Sequence, residues 1–160
     1  MKSLSTSAAL AAALTLFASM PADAQLRGPN GCRIGNPGGI AFGPYTDGQT
    51  TPALSALSIV LSCKGDAIYV EAVVTGGPGE NSGDMLDRRL RGKKNPDAYL
   101  RYQLYVDSAR TRVFGDGTRG TEGLVFPPAN RTQHIYAELP GGQSGPEDDF
   151  SDMIMITVMP

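Results

Sequence analysis

Leu100-Arg101-Tyr102-Gln103-Leu104-Tyr105-Val106-Asp107 is the stretch on which the fold turns. Leu100, Tyr102, Leu104 and Val106 alternate with Arg101, Gln103 and Tyr105. A period of two sends alternate side chains to opposite faces of a β-strand, whereas a helix face repeats every three to four residues. The pattern recurs on both sides. Leu57, Ile59, Leu61 and Cys63 alternate with Ser58, Val60 and Ser62, and Ile135, Ala137 and Leu139 with His134, Tyr136 and Glu138. Ile40-Ala41-Phe42 is a brief apolar strand between Pro37-Gly38-Gly39 and Gly43-Pro44. Ile68 to Val74 is apolar on both faces except Glu71, as a central strand would be, and Gly76-Gly77-Pro78-Gly79 ends it.

Shorter pieces fill the rest. Met85 to Leu90 precedes the turn Gly92 to Pro96, Arg112 to Phe114 leads into Gly115-Asp116-Gly117, and Leu124-Val125-Phe126 stops at Pro127-Pro128. Gly141 to Asp149 is a long polar loop. The last segment, Phe150 to Met159, puts Ile154, Ile156 and Val158 on one face and Met153, Met155, Thr157 and Met159 on the other. Seven or eight short strands separated by Gly, Pro, Asn and Asp predict an all-β sandwich. Ile40, Phe42, Leu57, Ile59, Leu61 and Leu104 are the expected core or groove residues.

The chain has 160 residues, and the first 24 read as a signal peptide. Lys2 is the positive n-region, Ala8 to Met20 the apolar h-region, and Ala22-Asp23-Ala24 a small-x-small cleavage site. Gln25 to Gly31 is a short polar leader, and residues 32–160 form a single domain. That is enough chain to bury a core. The balance of 14 basic against 16 acidic residues argues against nucleic acid as a partner, and export argues against it again. No later run reaches the roughly 18 apolar residues a membrane anchor needs.

Cys32 and Cys63 are the only cysteines, and an exported chain places them where disulfides persist. They can pair in one way within the chain. Closing a loop of about 30 residues is worth roughly 3–4 kcal/mol by chain entropy. A catalytic thiol would need a base, and the lone His134 has no visible partner.

Other chemistry finds little support. Asp116 and Glu122 flank glycines as calcium ligands can, but their spacing matches neither the EF-hand nor the calcium-binding nonapeptide, so no metal site is expected. The run Arg88, Arg89, Arg91, Lys93 and Lys94 offers a polyanion site, or a solvated hairpin or charged edge. Glu147-Asp148-Asp149 reads as a solvated loop. No G-x-S-x-G, H-E-x-x-H or P-loop occurs, so no catalytic residue or cofactor is assigned. The methionine face of the last strand is unusual. Methionine suits surfaces that bind extended partners, so this edge either is covered within the domain or expects another chain.

Taken in order, the motifs resemble the spore coat protein U domain family, the fold of pilin subunits in archaic chaperone–usher pili. They are Cys32, Phe42-Gly43-Pro44-Tyr45, Cys63, Leu100 to Asp107, Phe114-Gly115-Asp116-Gly117-Thr118, Ile135 to Pro140 with Gly142-Gln143, and Phe150-Ser151-Asp152. Phe114 stands where the family usually has Trp, and Ala137 where it usually has Gly. The resemblance implies an immunoglobulin-like β-sandwich lacking its last strand. A periplasmic chaperone lends a strand to the open groove, and at the outer-membrane usher a neighbouring pilin subunit replaces it. It implies that Cys32 and Cys63 are the paired cysteines. It also implies that the edge offered to the incoming strand is Ile154, Met155, Ile156, Thr157, Val158 and Met159.

A spanning strand needs about 8–11 residues. The seven-residue leader, with one apolar side chain, a Pro and two Gly, is a poor donor. The expectation is a subunit that accepts a strand and hardly donates one, which suits a tip or terminal position. Its route runs through the periplasm to the cell surface or the medium. The rival is a self-complete secreted binding module acting through its loops. A hydrolase using scattered carboxylates comes last.

Overall fold

A computed structural model of the chain describes residues 9–14, 31–35, 38–65 and 71–159, with residues 9–14 described through their backbone pairing. Among the described residues there are eleven strands and no α-helix. The period-two segments form the long central strands. β4 is Ala53–Cys63, β7 is Tyr99–Tyr105 and β9 is Thr132–Leu139. Leu100, Tyr102, Leu104, Ile135, Ala137, Leu139, Ile59 and Leu61 are buried, as the alternation predicts. Leu57 and Cys63 pack half-buried against them, while Ser58, Val60 and Ser62 are exposed. Each fully buried Leu or Ile contributes roughly 1.5–3 kcal/mol of apolar burial.

Around these lie β1 (Ala9–Leu14), β2 (Cys32–Gly35), β3 (Ile40–Thr46), β5 (Ala72–Gly76) and β6 (Arg88–Gly92). β8 (Leu124–Phe126), β10 (Asp149–Ser151) and β11 (Ile156–Met159) complete the set. The eight-stranded sheet runs β2-β4-β9-β7-β6-β10-β1-β3, and the three-stranded sheet β11-β5-β8. The two form an immunoglobulin-like sandwich around one core. Paired strands are antiparallel except β1 and β10, which run parallel. Cys32 and Cys63 stand directly opposite each other on β2 and β4 and form the expected disulfide.

The structure differs from the sequence reading in several places. The terminal segment is not one strand. It breaks at Asp152 into β10 and β11, which lie in different sheets. The break is held by hydrogen bonds from the Glu80 and Gly77 amides to the Met153 and Met155 carbonyls. The described part of the central strand begins at Ala72, and Ile68 to Val70 lie outside the described residues. So do most of the signal-peptide and leader residues. Within Met85 to Leu90 the strand starts only at Arg88, after a turn.

Arg88 itself overturns the solvated-hairpin reading of its basic run. Its side chain is fully buried. It donates to the carbonyls of Met85 at 3.1 Å, Gly77 at 2.8 Å and Phe114 at 2.9 Å, and to Gln103 Oε1 at 2.6 Å. Burial lowers its pKa, and the nearby Tyr102 and Asp152 oppose that shift. The planar fork of a guanidinium can serve several loops at once, which an ammonium cannot.

Candidate functional site

The site begins on β3. Its sequence Ile-Ala-Phe-Gly-Pro-Tyr-Thr buries Ile40, Phe42 and Tyr45 and exposes Ala41, Pro44 and Thr46. The buried positions fall out of strict alternation because the strand bulges at Phe42 and Gly43. Gly43 takes φ +73°, a conformation that glycine adopts without cost and that marks one common bulge. Facing β3 across a gap is β10, only three residues long, with Phe150 buried at its centre. β1 lies in this gap and pairs with both walls. Its register runs from Ala9 opposite Thr46 to Leu14 opposite Ile40 along β3, with Ala12 opposite Phe150 on β10.

So short a strand as β10 needs anchors, and a buried aspartate stands at each end. Before it, the Asp148 carboxylate accepts from the amides of Lys94 at 2.9 Å, Asn95 at 2.6 Å and Asp149 at 2.7 Å, and from Asn95 Nδ2 at 3.0 Å. Desolvation pushes its pKa up, but this ring of N–H donors outweighs it and holds the carboxyl at about 2. After it, Asp152 accepts from the Tyr102 hydroxyl at 2.7 Å, the Asn81 amide at 3.1 Å and Asn81 Nδ2 at 2.9 Å. Burial raises the Asp152 pKa despite these donors. Burial, followed by the neighbouring Asp152 charge, raises that of Tyr102. Asp148 therefore does not belong to a solvated acidic loop. It pins the β6–β7 turn to β10, and the Lys93 amide adds a bond to the Asp149 carbonyl at 2.9 Å.

The β3 wall is fixed in the same manner. The buried Tyr45 hydroxyl donates to the Pro140 carbonyl at 2.9 Å and accepts from the Gln143 amide at 3.2 Å. Gln143 Nε2 reaches the same Pro140 carbonyl at 3.0 Å. The motif Phe42-Gly43-Pro44-Tyr45 and the distant Pro140 with Gly142-Gln143 thus meet in space.

The sequence-predicted residues divide. Ile40 and Phe42 lie on the β3 wall, whereas Leu57, Ile59, Leu61 and Leu104 belong to the central core. Ile154, Ile156 and Val158 are buried, while Met155 and Met159 are exposed on the other face. β11 pairs with β5 and is the outer strand of its sheet, while β1 lies beside β10. Asp116 and Glu122 do not converge. Asp116 accepts from Thr118 within its own turn, and Glu122 pairs with Arg112 at 3.0 Å. Among the described residues no group of three His, Cys, Asp or Glu side chains gathers. His134, expected to lack a partner, lies 3.1 Å from the Ser58 hydroxyl. Arg89 pairs with Asp87 beside Arg101, and Arg91 donates to the Pro96 carbonyl at 2.7 Å. The sequence reading missed Phe150, Tyr45, Asp148 and Asp152 as site residues. Asp in an otherwise apolar terminal run is the signal that marks the break, since Asp is depleted in strands.

Among curated proteins none matches this chain. Among solved structures, a similar chain occurs in the complex of the chaperone CsuC with the tip adhesion subunit CsuE. That complex is a pre-assembly state from the archaic chaperone–usher Csu pili of Acinetobacter baumannii. The identity is 15%, the TM-score 0.42, and the match covers 81% of this chain but 39% of that one. The family model of the Spore Coat Protein U domain matches residues 18–157. This match spans most of the all-β sandwich, so the chain belongs to the spore coat protein U domain family.

Proposed function

We propose that this chain is a structural subunit of an extracellular fibre of the chaperone–usher type. It is completed by a strand from another polypeptide, laid between β3 and β10. The observation that carries this reading is the seating of Ala9–Leu14 in that gap. On this proposal residues 1–24 are a signal peptide, and its removal leaves two strand edges facing an empty apolar groove. The exposure of Ile40, Phe42, Tyr45 and Phe150 then drives capture of a strand, with main-chain hydrogen bonds on both sides. A periplasmic chaperone supplies that strand first, and a neighbouring subunit supplies it at the usher. A donor running parallel to β10 and longer than β1 passes on to the outer edge of β11. There Ile154, Ile156 and Val158 back it, and Met155 and Met159 flank it. The short leader suits a subunit at the tip or end of the fibre.

A second reading draws on the same strand. If the N-terminal segment is retained, the sandwich is complete in itself and the protein is a secreted binding module. The test is thermal unfolding of Gln25–Pro160, made in an oxidising compartment, with and without an alternating apolar peptide. At a peptide concentration 100 times its Kd, binding stabilises the fold by about 2.7 kcal/mol. A stable monomer that ignores the peptide refutes the strand-acceptor reading.

A further inference from the structure

The core takes Arg88 from the basic run, and Arg89 pairs with Asp87. Arg91 and Lys93 of the same run line a cavity of about 260 Å³ together with Ser151, Glu80 and Asn81. Arg91 of β6 and Ser151 of β10 stand directly opposite each other and are exposed, while Leu90 and Phe150 beside them are buried. The segments around the cavity are tied to the same short stretch of chain. The Lys93 amide donates to the Asp149 carbonyl at 2.9 Å, and the Glu80 amide to the Met153 carbonyl at 2.8 Å. Asn81 Nδ2 donates to the Ser151 carbonyl at 3.1 Å and to Asp152 Oδ1 at 2.9 Å. The cavity is thus formed before any ligand arrives, which spares binding the cost of ordering it.

The charges around it are not paired with one another. Arg91 places its Nε on the Pro96 carbonyl at 2.7 Å, and among the described residues Arg91, Lys93 and Glu80 enter no ion pair. Asp152 also lines the cavity, but it is 3% exposed and its carboxylate is engaged by Tyr102 and Asn81. Asp149, exposed on the same face of β10, lies outside the lining. The exposed charges that line it are therefore two positive and one negative. A ligand with a single negative charge balances them. A zwitterion leaves a positive excess, and a dianion such as sulfate meets Glu80.

We propose that this cavity binds one acidic sugar, a uronic acid unit, with its carboxylate on Arg91 and Lys93 and its hydroxyls on Glu80 and Ser151. A guanidinium fork matches a planar carboxylate, and an ammonium adds a point charge beside it. A carboxylate such as Glu80 accepts from sugar hydroxyls. The cavity is smaller than the roughly 300–1,000 Å³ of a drug-sized site, so it takes one ring and not a chain. The site adds a ligand to the strand-acceptor reading and does not rest on it.

The experiment is an NMR titration of the oxidised full chain with glucuronate, glucose and inorganic sulfate. Glucuronate is expected to shift the Asn81, Lys93 and Ser151 amides to saturation, with a Kd on the order of 1 mM for so small a ligand. Glucose, which lacks the carboxylate, and sulfate, which lacks the ring, are expected to bind at least about tenfold more weakly. Lys93→Gln changes an exposed side chain and should leave the thermal midpoint unchanged while weakening glucuronate roughly threefold to fivefold. Lys94→Gln, in the same basic run but outside the cavity, should leave glucuronate binding as it is. Glu80→Gln should narrow the gap between glucuronate and sulfate. The site is overturned if glucuronate shifts none of these amides, or if glucose matches it, because the carboxylate is then not read. Sulfate binding as tightly as glucuronate to the unaltered chain reduces the cavity to a patch for any anion and overturns the sugar. A loss on Lys94→Gln equal to that on Lys93→Gln shows diffuse surface charge at work and overturns the site as well.

Discussion

Tyr45→Phe is the sharpest test of how the β3 wall is held. The substitution keeps the buried ring and removes only its hydroxyl, so no cavity of note forms. The bond donated to the Pro140 carbonyl and the one accepted from the Gln143 amide are lost, together with a long 3.5 Å contact to the Gln49 carbonyl that adds little. The first two are not equivalent. The Pro140 carbonyl keeps Gln143 Nε2 at 3.0 Å, so its loss is that of an ordinary bond, about 1 kcal/mol. The Gln143 amide is left without its acceptor and sits half-buried, so its cost falls at the lower end of the roughly 1–3 kcal/mol for an orphaned donor. The total is about 2 kcal/mol, a sizeable share of the roughly 5–15 kcal/mol that holds a domain together. The assay is urea unfolding of the oxidised full chain. At a slope of roughly 2 kcal/mol/M the midpoint should fall by about 1 M, with the slope unchanged. A loss below about 0.5 kcal/mol would refute the reasoning, because the hydroxyl would then be exchanging its partners for water without penalty.

Three further outcomes are expected. Replacing both Cys32 and Cys63 by Ala should cost roughly 3–4 kcal/mol in urea unfolding, since the bridge closes a loop with a separation of 31 residues; the unfolded, unreduced wild type should show no titratable thiol. Arg88→Lys should cost about 2–4 kcal/mol by the same assay, because an ammonium cannot reach the Gly77 and Phe114 carbonyls while serving Met85 and Gln103. The folded pKa of Asp148, about 2, lies below the ordinary carboxylate value of roughly 3.9. Its stabilising contribution is therefore full above about pH 4 and lost as pH falls through about 2. Asp148→Asn should flatten the acid limb of the stability curve over that window, and a curve of unchanged shape would count against the carboxylate's role.

The alternation in Leu57–Cys63, Leu100–Val106 and Ile135–Leu139 made the fold legible, because a period of two survives wherever one face is buried. The family motifs then led to Phe42-Gly43-Pro44-Tyr45, and the groove wall is built there. What the sequence hid was long-range partnership. Arg88 lies in a basic run that looks solvated, and the carbonyls it serves come from three separate segments. Asp148 sits in a loop rich in Gly, Pro and acid, where nothing local signals that amides 53 and 54 residues away converge on it. The terminal apolar run looked like one strand because burial alternates across it. The break comes from Asp152, whose partners Asn81 and Tyr102 lie far away in the chain. Ala9–Leu14 lies inside the apolar run that reads as a signal peptide, and no local signal marks its pairing with β3 and β10.

The β5–β11 pairing has a consequence for the order of events at birth. β5 cannot find Val158 or Ile156 until β11, far on in the chain, has emerged, and β10 is nearly as late. A chain delivered N-terminus first can close the β2–β4 ladder and its cross-link early. It must then wait with Ala72, Val74, Phe126 and the β3 wall uncovered. Pairings between distant segments are slow to form, and apolar edges exposed meanwhile invite association with other chains. The segment from β10 to β11 thus acts as the clock of the fold, and removal of β11 should yield a long-lived, aggregation-prone species rather than a slightly weaker native one.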